Sequence, residues 1–281
     1  MEQADTLLTV EDLSVDFATR RGLVQAVRGV SFSLGHEKLA IVGESGSGKS
    51  VTGRAILGLV PKPGRVRARR LSFDGIDLLK ASARRMRQLR GRRIALVMQD
   101  PKFSLNPVMT IGVQIGEALR SVSGLGRSER RDRVISMLEA VQIRDPERVA
   151  QAYPHELSGG MGQRAMIAMM LAAEPDLLIA DEPTSALDVT VQAEVLAILD
   201  DLVTRRGMGL IFISHDLRLV SRFCDRVLVM YGGRVMETCR ADELGAARHP
   251  YTQALFNCLP QIDRGGEPLP VLDRDPAWME G

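Results

Sequence analysis

The chain has 281 residues, 45% of them hydrophobic and only 4% aromatic, with a formal net charge of +2. That length supports a sizeable, mostly aliphatic core in one large domain or a domain with a lobe, and the near-balanced charge does not itself argue for nucleic acid. The three cysteines, Cys224, Cys239 and Cys258, are scattered and suit a reducing compartment, while the acidic start MEQADTLLTVEDL lacks an apolar signal core and argues against secretion.

Leu13, Val15 and Phe17 alternate with polar neighbours, and so do Val30, Phe32 and Leu34, which predicts two strands. Leu39 to Val42 is a short apolar run ending in glycine. Lys62 to Arg93 is dense in Arg and Lys, with Asp74 and Asp77 its only acids. It reads either as a solvated face or as a surface facing a polyanion or an acidic partner. Within it, Leu71 to Phe73 runs into Asp74-Gly75, the pattern of a strand entering a turn. Arg93 to Met98 is a further buried-strand candidate.

From Ile111 to about Val149 the period becomes helical, with Ile111, Ile115, Ala118 and Leu119 on one face. Ser128 ahead of Glu129 to Leu138 reads as a capped helix. This stretch predicts a helical lobe inserted into an α/β core. Strand and helix then alternate: helix over Met161 to Ala173, strand over Leu177 to Ala180, helix over Val191 to Val203, and strands over Leu210 to Ile213 and Val227 to Met230. Such alternation predicts a largely parallel sheet covered by helices. The longest apolar run, Ala165 to Ala173, is roughly half a bilayer span, so a membrane role must come through a partner. Beyond about Gly245 the chain turns Pro- and Gly-rich, and DRGGEPLPVLDRDPAWMEG reads as a loosely ordered tail.

GESGSGKS, Gly43 to Ser50, matches G-x-x-x-x-G-K-[ST] between a strand candidate and a helix-like run that opens at Val51. Gly43, Gly46 and Gly48 allow backbone N–H groups to close around phosphates, with Glu44, Ser45 and Ser47 between them. Lys49 would reach the β- and γ-phosphates, and the Ser50 hydroxyl would ligate Mg²⁺. LLIADEP, Leu177 to Pro183, puts two carboxylates at a strand's C-terminal end, where ligands collect in open α/β sheets. Asp181 suits the Mg²⁺ shell, and Glu182 suits a general base that polarises the attacking water. Without the glycine loop, the same pair would read as a helix N-cap.

Gln99 follows the strand candidate RRIALVMQDP and could touch Mg²⁺ and the nucleophilic water; taken alone it is a polar residue opening a loop. His215, in IFISHD, could hold the γ-phosphate; taken alone it is a satisfied histidine at a strand end. Phe17 could stack on adenine or simply fill the core. A second glycine turn stands at LSGGMGQR. Ser158, Gly159 and Gly160 would present N–H groups and a hydroxyl at a helix start, enough to grip a γ-phosphate without a lysine. The alternative is a serine-capped, glycine-containing helix start.

LSGGMGQR before LLIADEP, with GESGSGKS upstream, resembles the signature set of ATP-binding-cassette (ABC) ATPases. SALD, Ser185 to Asp188, resembles the family's D-loop, MQD its Q-loop and ISHD its H-loop. The resemblance covers roughly residues 6 to 260 and rests on six motifs in order. It implies an α/β P-loop NTPase core with an N-terminal antiparallel β subdomain, an inserted helical subdomain at about 100–165, and a tail at 261–281. It also implies two cassettes docked head to tail, each ATP held between one chain's P-loop and the other's signature loop, with Asp188 beside the nucleotide. The second cradle then serves the partner's nucleotide, whose lysine comes from the partner.

QDPKFSLNPVMTIGVQIGEAL, YPHELSGGMGQRAMIAMMLA and HPYTQALFNCLP further resemble the dipeptide/oligopeptide/nickel importer branch. Only Cys258 stands in the tail, so the cysteine cluster of some members does not carry over. Gly162 departs from the serine expected in many relatives and should loosen the helix start slightly. The implied assembly has a second, related cassette, two transmembrane permease subunits and an extracytoplasmic solute-binding protein. The implied place is the cytoplasmic face of a bacterial inner membrane. The implied function is ATP hydrolysis that powers uptake of di- or oligopeptides, with nickel or metal-chelate import as the alternative and a soluble ABC ATPase or a nucleotide-binding module without turnover as the readings from other classes.

Overall fold

The computed structural model describes residues 6–20, 22–98, 104–120, 124–185, 187–258 and Trp278. The chain divides into two units, Met1–Ala81 with Ile211–Gly281, and Ser82–Leu210.

The first unit opens with β1 (Leu8–Thr19) and β2 (Gly22–Leu34), paired antiparallel. Beyond them β4 (Arg65–Arg67), β5 (Arg70–Phe73) and β6 (Ile76–Asp77) extend the antiparallel sheet, in the order β2-β1-β5-β6 with β4 on β1. Asp74 and Gly75 take φ of 46° and 72°, the paired left-handed residues of a two-residue hairpin. The alternation read in β1 holds for Leu13 and Val15, which are buried. It fails at Asp16, only 2% exposed, because the register shifts between Val15 and Asp16. The displaced carboxylate is paired with Arg67, a cation of the basic stretch. Arg69 in the same stretch pairs with Glu11 at 3.0 Å, so part of this charge is balanced locally. After β3 (Lys38–Val42) the glycine loop leads into α1 (Lys49–Ile56).

In the second unit α2 (Ala83–Leu89) precedes β7 (Ile94–Val97), which pairs parallel with β8 (Leu177–Asp181). The pairing is set at its start, where Arg93 donates to Asp176 at 2.5 Å while its carbonyl accepts the N–H groups of Asp176 and Leu177. Between these strands lie α3 (Ile111–Arg120), α4 (Arg127–Ala140), α5 (Pro146–Gln151) and α6 (Gly159–Leu171). Ile111, Ile115 and Leu119 are buried on one face of α3, as the helical period requires, with Ala118 half-buried. Helix α4 starts earlier than the serine suggested. Its cap is Gly126, whose N–H donates to the Glu129 carboxylate at 2.8 Å, and Ser128 lies inside the first turn. Helix α7 (Val189–Arg206) ends at Gly207, φ 58°, whose N–H turns back to the carbonyls of Thr204 and Val203.

The chain returns to the first unit along β9 (Gly209–Ile213), followed by α8 (Leu217–Phe223), β10 (Arg226–Tyr231) and β11 (Arg234–Arg240). These strands run in the order β11-β10-β3-β9, with β10 parallel to β3 and β11 antiparallel at the edge. Asp225 fixes the β3–β10 register: its N–H donates to the Lys38 carbonyl at 2.8 Å and its carboxylate accepts the Lys38 N–H at 2.7 Å. The region past Gly245 is more regular than its Pro and Gly content suggested. A 3₁₀ turn at Ala241–Ala246 precedes α9 (Pro250–Asn257), which starts with Pro250 and is capped by the His249 ring. Of the stretch read as a loose tail, residues 263–277 and 279–281 lie outside the described residues, and Trp278 packs against Tyr231 and Tyr251.

All three cysteines are free thiols. Burial pushes the Cys224 thiol up to about 12, so it is no nucleophile at neutral pH. Among the described residues no helix is long and apolar enough to cross a membrane.

Gly207→Ala should lower stability by about 1 kcal/mol, because the side chain must enter the left-handed region. Chemical denaturation read by far-ultraviolet dichroism checks this; an unchanged midpoint would show that the helix ends elsewhere.

Candidate functional site

The first unit builds a tight anion cradle at the end of β3. At Gly43, φ 145°, a Cβ would lie 2.0 Å from the Met230 carbonyl oxygen. At Gly48, φ 98°, it would lie 2.4 Å from the Ala26 carbonyl oxygen. Gly46, φ 83°, faces open space. Two of the three glycines are thus required by close backbone approach as well as by dihedral angle. The loop is tied at both ends: Ser47 N–H donates to the Glu44 carbonyl at 3.2 Å, and the Ser47 carbonyl accepts the Gly233 N–H at 3.1 Å. Ser45 and Gly46 stay exposed at its tip, while Ser50 and Val51 are half-buried in the first turn of α1.

Lys49 is 5% exposed, and its Nζ donates to the carbonyls of Gly43 and Glu44, each at 2.8 Å. The two carbonyls hold the ammonium in place at the base of the glycine loop, where it can meet an incoming anion. The first turn of α1 has no acidic residue, and its cap, Gly48, offers no side chain to the N–H groups there. The buried Ser47 hydroxyl, in a residue 3% exposed, has no hydrogen-bond partner among the described residues. A polyphosphate satisfies all three features at once. Among the described residues no cluster of three His, Cys, Asp or Glu could hold a metal.

Phe17 is half-buried on β1, and its ring lies over Gly64, where a Cβ would come within 2.7 Å of it. Its packing role is therefore established by contact, with part of the ring still accessible. His215 is exposed just beyond β9. Its neighbour Ser214 donates an N–H to the Ile41 carbonyl at 3.2 Å, which sets this strand end beside the strand feeding the loop. Gln99 lies outside the described residues.

The second unit holds the other carboxylates. Strand β8 is buried throughout, and Asp181 at its end is 9% exposed. Glu182 sits at φ 48°, a left-handed position for a residue with a Cβ, and its carbonyl accepts both the N–H and the hydroxyl of Ser185. The next carbonyl, that of Pro183, accepts the side-chain amide of Gln163, which is buried in α6. Strand-end turn and glycine-turn helix are thus joined directly.

At the start of α6, the Ser158 hydroxyl oxygen caps the Met161 N–H at 3.3 Å. Gly159 faces open space, whereas a Cβ at Gly160 would come within 2.7 Å of Val191 on α7. The turn borders a groove of about 680 Å³ lined by Ser158, Gly160, Met161, Arg164, Val191 and Glu194. Asp188 caps α7, accepting the N–H groups of Thr190 and Val191 at 3.1 and 3.0 Å. Its carboxylate thus has a structural task beside the nucleotide role expected of it. Sequence reasoning assigned nothing to Gln163 and gave Tyr251 no role; their partners are distant in sequence.

Residues 27–185 match the ABC transporter family model. The chain belongs to the ABC transporter family. It is 49% identical to a probable peptide ABC transporter ATP-binding protein of Sinorhizobium fredii, over 94% of this chain and 79% of that one. It is 48% identical to the dipeptide transport ATP-binding protein DppD of Escherichia coli, over 95% of this chain and 82% of that one. It is 47% identical to the oligopeptide transport ATP-binding protein OppD of Bacillus subtilis, over 95% and 75%. Among solved structures it resembles the dimeric, post-hydrolysis ATP-binding cassette MJ0796 bound to ADP and Pi, with TM-score 0.74 and 27% identity, covering 84% of this chain and 99% of that one. The fold is that of an ABC ATPase, and ATP with Mg²⁺ is the nucleotide–metal pair of the family.

Gly48→Ala should weaken ATP binding by on the order of 10-fold or more, since the new methyl group meets a backbone carbonyl that cannot move aside cheaply. Gly159→Ala, facing open space, should leave the melting temperature of the chain close to wild type. Calorimetric titration with ATP checks the first and a thermal scan the second; unchanged ATP affinity in Gly48→Ala would contradict the cradle geometry.

Proposed function

We propose that this chain is the ATP-hydrolysing subunit of a bacterial peptide importer, working on ATP and Mg²⁺ through residues 6–260 as its ATPase domain. The observation that carries the proposal is the buried Lys49 ammonium, held by loop carbonyls at the start of a helix that has no side-chain cap. Relatives named for peptide and dipeptide transport favour peptides over nickel as the solute.

In this reading Gly43, Glu44, Ser45, Gly46, Ser47, Gly48, Lys49, Ser50 and Val51 bind the phosphates, and Phe17 contacts the base. Ser50, Gln99 and Asp181 hold Mg²⁺, which when bound offsets the charge of the phosphates. Glu182 accepts a proton from the attacking water, and its left-handed turn and the Gln163 bond to Pro183 hold the carboxylate's backbone rigid. His215 and Lys49 steady the γ-phosphate. Ser158, Gly159, Gly160 and Asp188 serve the nucleotide of a second cassette, docked head to tail. The helices between β7 and β8 pass closure and reopening to two separate permease subunits. The chain then works peripherally at the cytoplasmic face of the membrane, fed by an extracytoplasmic binding protein.

Glu182→Gln should keep ATP binding and lose turnover by about 10²-fold or more, measured as phosphate release. Near-normal turnover would remove Glu182 from the base role. Ser158→Arg should abolish hydrolysis while a single chain still binds ATP; retained hydrolysis would exclude the two-chain sandwich. Tagged chain recovered from detergent-solubilised membranes should bring two polytopic proteins and a second cassette. Ribosomal or DNA-repair proteins in their place would make this a soluble ATPase.

A further inference from the structure

The peptide group between Gly43 and Glu44 is gripped from both sides. Its carbonyl accepts Lys49 Nζ at 2.8 Å, and its N–H donates to the Tyr251 hydroxyl at 3.2 Å. A peptide group is planar, so fixing the direction of the N–H fixes the direction of the carbonyl opposite it. The hydroxyl of a residue at the far end of the chain therefore aims the acceptor on which the loop lysine rests.

Tyr251 is well placed to act as a fixed point. It is fully buried, and its N–H is capped by the His249 ring at 3.1 Å. The strand β11 carboxylate of Glu237 accepts the N–H groups of Arg248 and His249, at 2.7 and 3.1 Å, which pins the start of α9. The Tyr251 ring packs 4.7 Å from that of Tyr231 and 5.6 Å from that of Trp278, the chain's single tryptophan. Tyr231 follows Met230, whose carbonyl closes on Gly43. The loop itself has three glycines at positive φ, which leave its backbone few conformational restraints of its own. Its first peptide needs an external tether, and α9 supplies one.

We propose that Tyr251 is a positioning residue: its hydroxyl orients the Gly43–Glu44 peptide and through it sets Lys49 for nucleotide binding. This rests on the reading of Lys49 as a phosphate-binding group and adds a role for the C-terminal HPYT segment, His249 to Thr252. A phenylalanine would fill the same space among the rings, so the hydroxyl is separable from the packing.

The test uses the full chain. In the wild type, hydrogen exchange should show the Glu44 amide protected; exchange at the rate of an unbonded amide would overturn the proposal without any variant. Tyr251→Phe should speed that exchange and raise the Kd for ATP by about 3- to 10-fold, the loss of one hydrogen bond. The melting temperature of the nucleotide-free chain should stay within about 2 °C of wild type. An unchanged Kd, or a higher Kd seen only with a large fall in melting temperature, would overturn it, the latter by making the role purely structural. Lys49→Ala separates the two readings. If it binds ATP like wild type, the phosphate role of Lys49 fails; if it loses binding while Tyr251→Phe does not, only the positioning role fails.

Discussion

A cation buried at the start of a helix is the constraint on which the first unit turns. Lys49 is almost wholly removed from water, and its Nζ donates to two carbonyls of its own loop. Those carbonyls orient the ammonium within the loop. That placement suits an incoming anion, and so does the start of α1, which has no side-chain cap. A polyphosphate would suit both.

Holding that loop takes backbone contact rather than side chains. Gly43 lies against the carbonyl of Met230 and Gly48 against that of Ala26, so strands β10 and β2 press on the loop where any Cβ would collide. Asp225 keeps β3 and β10 in register by exchanging two hydrogen bonds with Lys38. Gly233 and Tyr251 bind the loop from outside. The cradle is therefore a product of the whole first unit, including its last helix, and not of the eight residues of the motif alone.

In the second unit the same economy appears around Glu182. Its left-handed backbone is an unfavourable place for a glutamate, sustained because Ser185 caps its carbonyl and Gln163 holds the next one. The glycine turn at Ser158 and the strand end at Asp181 are thereby linked within one unit. Gly160 adds a packing reason for part of the turn, since Val191 fills the space a side chain would need. Charge in this region also has structural uses: Arg164 pairs with Glu194, and Asp188 spends its carboxylate on the cap of α7.

The glycine loop, the apolar strands β3, β8, β9 and β10 and the helical face of α3 were legible in the sequence, because each rests on spacing and local chemistry. The short strands β4 and β6, the edge strand β11 and the helices α2, α8 and α9 were not, since pairing partners and caps such as His249 decide them. The start of α4 moved from Ser128 to Gly126 because a carboxylate one turn on satisfied the N–H there. Asp16 became buried because a register shift, invisible in a period-two pattern, carried it inward beside Arg67. The sequence by itself determined the glycines, the lysine and the paired carboxylates that point to phosphate chemistry, since those residues are recognised by short-range spacing. Only the tertiary structure decided that Gln163 braces the turn after Glu182 and that Tyr251 grips the peptide under Lys49. Those contacts join residues 20 and 207 positions apart, and no local pattern specifies them.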